Sequence, residues 1–115
     1  MKIQIITDAI SKHNIEHIAK DQFGDMVKAV VDVEKAIMAI GGELHADEEA
    51  VLLENGSLQE NLWGINLYPE KSAGEWIEFN SMINVRPSRG NRSRMIESQD
   101  MQEKIRAIIK KLIPA

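Results

Sequence analysis

The stretch MVKAVVDVEKAIMAI, Met26 to Ile40, reads as two strands joined by a turn. Ala29, Val31 and Val33 fall on one face of the first strand, and Val30 and Asp32 fall on the other. β-branched residues recur at a period of two, the signature of a half-buried strand. Glu34 and Lys35 turn the chain into a second strand, Ile37 to Ile40. A sheet covered on both faces would show continuous apolar runs, so the alternation supports an antiparallel or mixed sheet with its helices on one face.

Working outward, Lys2 to Ile6 alternates as a first strand. Ser11 opens a helix, with Ile10 and Ile15 at staple spacing and with Ile15, Ile18 and Ala19 as its inner stripe. Gly24 ends that helix. After Ile40, Gly41 and Gly42 predict a bulge or a close backbone approach. Asp47 is then expected to start a short helix over Glu48 to Glu54. Asn61 to Tyr68 and Glu75 to Arg86 read as the arms of a long hairpin. In its second arm Ile77, Phe79, Ile83 and Val85 face inward, and Trp76, Glu78, Asn80, Met82, Asn84 and Arg86 face outward beside Asn66 and Tyr68. An exposed face carrying Trp76, Tyr68 and Arg86 is suited to stacking a base or a sugar. An amphipathic helix from Ser98 to Ile113 closes the chain, its stripe made by Met101, Ile105, Ile108, Ile109 and Leu112. The expected fold is a single α+β domain over residues 1–115. It has a mostly antiparallel sheet of about five strands and two to three helices on one face, in the order β-α-β-β-α-β-β-α.

The composition excludes several functions. The 115 residues carry a net charge of -4 and no cysteine. Disulfides, thiolate metal sites and thiol catalysis are ruled out. An isoelectric point near 5.4 argues against a general nucleic-acid binder. No stretch approaches the roughly 18 apolar residues of a membrane span, and the N-terminus has no signal-peptide pattern. The expectation is a cytoplasmic protein without a membrane partner or a cofactor.

Against that acidic background stands RPSRGNRSR, Arg86 to Arg94, which holds four of the five arginines. Guanidinium binds phosphate or carboxylate through paired hydrogen bonds. Gly90 lets the backbone come close, and the loop runs toward a helix N-terminus. Arg86, Arg89, Asn91, Arg92, Ser93 and Arg94 are therefore the candidate ligand-binding residues. The partner would be a phosphate-bearing small molecule or RNA. The loop lacks the Gly-Lys-Ser/Thr ending of a P-loop. The competing account is internal: Asp47, Glu48, Glu49, Glu97 or Asp100 neutralise the arginines and hold the loop.

A second cluster is GGELHADEE, in which Glu43, His45 and Asp47 alternate and would share a face on an extended segment. These are candidates for metal ligands, or for an acid–base enzyme acting on a phosphate-bearing substrate. His13 and His17 stand at i, i+4 but lack the Glu of a metalloprotease pattern. No nucleophile elbow is present. A third possibility is a homodimer or other interaction module, with Trp76 and Met82 at the contact.

Three stretches carry a resemblance: MVKAVVDVEKAIMAIGGELHADEEAVLLENGS, QENLWGINLYPE and WIEFNSMINVRPSRGNRSR. Together they run from Met26 to Arg94, and they resemble a family of short uncharacterised prokaryotic proteins, a domain of unknown function. The resemblance implies that one small domain is the whole protein. It supplies no activity, ligand or catalytic residue.

Overall fold

The computed structural model describes residues 3–114. Its sheet has five strands: β1 (Gln4–Ile6), β2 (Val27–Asp32), β3 (Ile37–Ile40), β4 (Leu62–Leu67) and β5 (Ile77–Glu78). All pair antiparallel, in the order β1-β3-β2-β4-β5. The helices are α1 (Lys12–Asp21), α2 (His45–Glu54) and α3 (Gln99–Leu112). The expected α+β class and element order hold. Lys2, placed in the first strand by its alternation, lies outside the described residues.

β2 is the middle of the sheet because both of its faces are apolar. Val27, Ala29, Val31 and Val33 bury against Ile15 and Ala19 of α1 and Ile105, Ile109 and Leu112 of α3. Val30 faces the opposite way and packs with Ala39, Leu62 and Leu52 of α2. The helices thus lie on both faces of the sheet and not on one. Antiparallel strands keep their alternation here because the α2 side is apolar only in part; Lys28, Asp32 and Asn66 share it.

Local chemistry sets the boundaries. The Ser11 hydroxyl accepts from the Asn14 N–H at 3.1 Å, and the Ser98 hydroxyl from the Met101 N–H at 3.1 Å, capping α1 and α3. The β2–β3 turn lacks an Asn-Gly signal because Asp32 replaces it. Its Oδ1 accepts from the N–H groups of Glu34 and Lys35, both at 2.9 Å, and its Oδ2 accepts from the Ser57 hydroxyl at 2.6 Å. Helix α2 starts two residues before Asp47, with Leu44 as its cap, so Asp47 sits inside the first turn.

The second arm of the expected hairpin is a strand only over Ile77 and Glu78. Beyond them the chain winds into 3-10 turns at Met82–Asn84 and Pro87–Arg89. A side chain takes the missing strand's place. Asn84 is fully buried; its Oδ1 accepts from the Gly64 N–H at 2.8 Å and its Nδ2 donates to the Gly64 carbonyl at 3.0 Å. Gly64 is required at that point, since a Cβ there would stand 2.6 Å from Ser81. Consequently Ile83 packs on the α2 side, Val85 is exposed, and Asn66 and Asn84 are buried instead of forming an exposed stacking face. Among the described residues, no helix is long and apolar enough to cross a membrane.

Candidate functional site at the arginine loop

Arg86 begins the loop and is the most enclosed of its arginines. Its Nε donates to the Ile83 carbonyl at 3.1 Å and its Nη2 donates to the Leu62 carbonyl, closing the edge of β4 beside Asn84. The guanidinium lies 4.9 Å from the centre of the Trp63 ring and 3.8 Å from the Glu49 carboxylate. Burial lowers its pKa, and Glu49 acts in the opposite direction. Its Nη1 is buried without a hydrogen-bond partner.

The loop then closes on itself. The Arg86 N–H donates to the Asn91 carbonyl at 2.7 Å and the Asn91 N–H to the Arg86 carbonyl at 3.2 Å. Gly90 makes this possible by adopting φ +83°, a left-handed conformation. Asn91 is buried at the hub. Its Nδ2 faces the carbonyls of Asn84, Ser93 and Met95 at 2.7, 2.9 and 3.0 Å, and its Oδ1 accepts from the Glu97 N–H at 2.8 Å. Ser93 places its hydroxyl 3.2 Å from the Met95 carbonyl.

The negative charge sought by the loop comes in three pieces from its own chain. Glu49 meets Arg86. Glu60 meets Arg89 at 3.7 Å in a half-exposed pair. Glu97 accepts from the backbone N–H groups of Arg92 and Ser93 at 2.9 and 2.8 Å. Ser93, through side chain and backbone, and the Arg92 N–H hold the Glu97 carboxyl below its ordinary pKa. The side chains of Arg92 and Arg94 form no ion pair among the described residues.

Beside the loop is a cleft of about 720 Å³. Arg86, Ser88 and Arg89 line one side with Glu49 and Glu60, while Leu58, Met82 and Val85 give it an apolar wall. Leu58 and Met82 are 61% and 65% exposed, uncommon values for such side chains, so the wall is open to solvent. The cleft therefore offers positive charge, hydrogen-bond donors and apolar surface together. Asn91, Arg92, Ser93 and Arg94 are not in its lining.

A family model described as a protein of unknown function, DUF5674, matches residues 4–112. The chain belongs to this family. No curated protein and no solved structure matches it.

The second candidate set of this DUF5674 chain is rearranged by the fold. Glu43, His45 and Asp47 do not alternate along a strand, because His45 opens α2. Among the described residues, no group of three His, Cys, Asp or Glu side chains could hold a metal. His13 and His17 pack edge to face with ring centroids 5.8 Å apart on an exposed part of α1.

His45 instead enters a polar cluster that its neighbours in sequence do not reveal. Its Nε2 lies 2.8 Å from the Ile65 carbonyl. Lys28, Asn66 and Glu78 stand in register across β2, β4 and β5 on this same face. The Asn66 Nδ2 donates to Glu78 Oε1 at 2.7 Å and to the Asn80 carbonyl at 3.1 Å, and the Tyr68 hydroxyl donates to Glu78 at 3.4 Å. Next to it Glu48 is fully buried, its Oε2 accepting from the Gly42 N–H at 2.9 Å. This is the close approach expected at the paired glycines: a Cβ on Gly42 would lie 2.8 Å from Glu48 Cγ. The signal for the cluster was present in the alternation, which puts Lys28, Asn66 and Glu78 on one side of their strands. It lacked only the strand order.

Proposed function

We propose that the protein is a binding module that holds an anionic, phosphate-bearing ligand in the cleft between Arg86 and Arg89. The observation that carries this reading is the cleft lining itself: the fixed guanidinium of Arg86 stands beside Arg89, whose one ion pair among the described residues is half-exposed. Such a pair is worth about 0–1 kcal/mol, so an incoming phosphate can replace Glu60 at little cost. Arg86 is fixed before the ligand arrives, which limits the ordering entropy of binding. The apolar wall suits a ligand whose phosphate is attached to an apolar or aromatic body. Asn91 keeps the loop closed and Glu97 supports its far end.

Calorimetric titration with phenyl phosphate tests the proposal, with inorganic phosphate, a short RNA and benzyl alcohol as comparisons. Phenyl phosphate should bind tighter than either of its parts, and Arg89→Ala should weaken it about tenfold or more while the melting temperature stays close to wild type. Absence of binding, or equal binding by wild type and Arg89→Ala, rejects the proposal. The exposed Leu58 and Met82 also favour a second reading, in which this wall meets another copy of the chain. Sedimentation showing monomers alone over a wide concentration range would remove it.

A further inference from the structure

Away from the arginine cleft, on the side of the sheet that α1 and α3 cover, these two helices and the chain leading into β5 border a second cleft of about 350 Å³. Arg106, Ile109, Lys110 and Ile113 recur at i, i+3, i+4 and i+7, so α3 and its cap present them in one row along the wall. Lys12 opens α1 and comes alongside because the Ile10 N–H donates to the Leu112 carbonyl at 2.8 Å. Trp76 and Ile77 form the third side. The Tyr68 N–H donates to the Trp76 carbonyl at 2.8 Å, which carries the β4–β5 ladder one residue past Ile77. Ala73, in the loop before them, completes the lining.

The lining divides by chemistry. Ile77, Ile109 and Ile113 are buried, and with Ala73 and Trp76 they make an apolar floor. Every charged residue of the lining is cationic: Lys12, Arg106 and Lys110. In a chain of net charge -4 this is a local reversal of sign. Among the described residues, neither Lys12 nor Lys110 has a carboxylate partner. Lys12 Nζ stands 5.5 Å from the centre of the Trp76 ring, a contact that fixes the charge beside the cleft and leaves its hydrogen-bond donors to solvent. Arg106 lies 5.0 Å from the centre of the Phe79 ring, and its Nε faces Glu103 at 3.4 Å in a pair whose carboxylate is 69% exposed. An exposed pair of this kind contributes little and yields to another anion. Because Lys12 covers the Trp76 ring, the floor offers aliphatic surface and not an open stacking face.

We infer that this second cleft is a site for a small aliphatic carboxylate, with the chemistry of a medium-chain fatty acid. The chain lies on Ile77, Ile109 and Ile113 beside Trp76, where burial of its methylene groups supplies affinity. The carboxylate meets Lys12 and Lys110, with Arg106 beside them. The volume is at the small end of ligand clefts, which suits a single short chain. The same chain ending in an ammonium group would meet three like charges and be rejected. The inference does not depend on the arginine cleft, since the two linings share no residue.

The two tryptophans make the experiment selective, because Trp76 lines this cleft while Trp63 lies against Arg86. Their indole N–H resonances are followed by NMR as octanoate, octanol, acetate and octylammonium are added in turn. Octanoate should shift Trp76 and leave Trp63 in place. Octanol and acetate, which lack the charge or the chain, should bind at least about tenfold more weakly, and octylammonium should not bind. Lys12→Met and Lys110→Met should each weaken octanoate about tenfold and leave octanol unaffected. Ala73 is exposed in its loop, so Ala73→Trp should fill the cleft and abolish binding with the melting temperature near wild type. Arg89→Ala should have no effect. An unmoved Trp76 signal with octanoate, equal shifts with octanoate and octylammonium, or binding kept in Ala73→Trp overturns the inference. So does a Trp63 shift that is lost in Arg89→Ala, which would place the chain in the arginine cleft. Pelleting with phosphatidylglycerol vesicles while octanoate leaves Trp76 unmoved also overturns it, and would make this face a membrane-docking surface instead.

Discussion

At the scale of single residues, the fully buried Glu48 carboxyl stands out among the described residues. Burial pushes its carboxyl up from 4.5 to about 9, although the Gly42 N–H favours the ionised form. The folded chain therefore keeps a proton that the unfolded chain releases near pH 4.5. The stability this group contributes is complete below that pH, declines as pH rises, and is lost through about pH 9. Glu48→Gln keeps the shape of the neutral acid and removes the titration. Urea unfolding should find the two proteins alike near pH 4.5, with the Gln variant ahead by more than about 1.4 kcal/mol at pH 9, one pKa unit being worth that much. A wild-type stability that tracks the variant across the whole interval would mean that Glu48 is ionised in the fold.

At the scale of elements, the outer edge of β4 is completed by side chains. Asn84 closes both backbone groups of Gly64, and Arg86 closes the Leu62 carbonyl. Removing such a partner leaves a buried polar group unsatisfied, which costs about 1–3 kcal/mol for each group. Asn84→Ala should accordingly destabilise the protein by at least that amount, and exchange of the Gly64 amide hydrogen should accelerate more than that of Val30, its neighbour on β2. Equal acceleration at both positions would show that Asn84 supports the whole sheet and not this edge. The long hairpin expected from alternation failed here for this reason. Ile83 and Val85 keep a period of two in the sequence, but a period cannot show that Asn84 will bond to a strand twenty residues earlier.

At the scale of the whole molecule, α2 stands over the sheet face opposite α1 and α3, and a small apolar cluster holds it there. Leu52 is the helix's fully buried contribution, against Val30, Ala39 and Leu62. Leu52→Ala should cost about 2–5 kcal/mol. Because the same helix carries His45 over β4, the variant should also disturb the His45 imidazole resonances while leaving those of His13 and His17 in place. If His45 is unmoved, its position is set by the Ile65 carbonyl and not by the seating of α2. The molecule thus has two separate polar regions, the cleft at Arg86 and Arg89 and the face around His45, with the arginine loop reaching both.

Local physics fixed much of this from the sequence: the cap at Ser11, the apolar face of Ala29, Val31 and Val33, the stripe of α3, the close approach at Gly42 and the antiparallel α+β order. Each depends on neighbours a few residues away, so a linear pattern records it. The candidate sites were legible as residue types but not as partners. Four consecutive-looking arginines are divided because the Arg86–Asn91 bridge folds the loop back at Gly90, leaving Arg86 and Arg89 by the cleft and Arg94 beside Ser81. His45 left Glu43 and Asp47 for Lys28 and Asn66 because strand order and the seating of α2, set by long-range burial, decide which polar side chains meet.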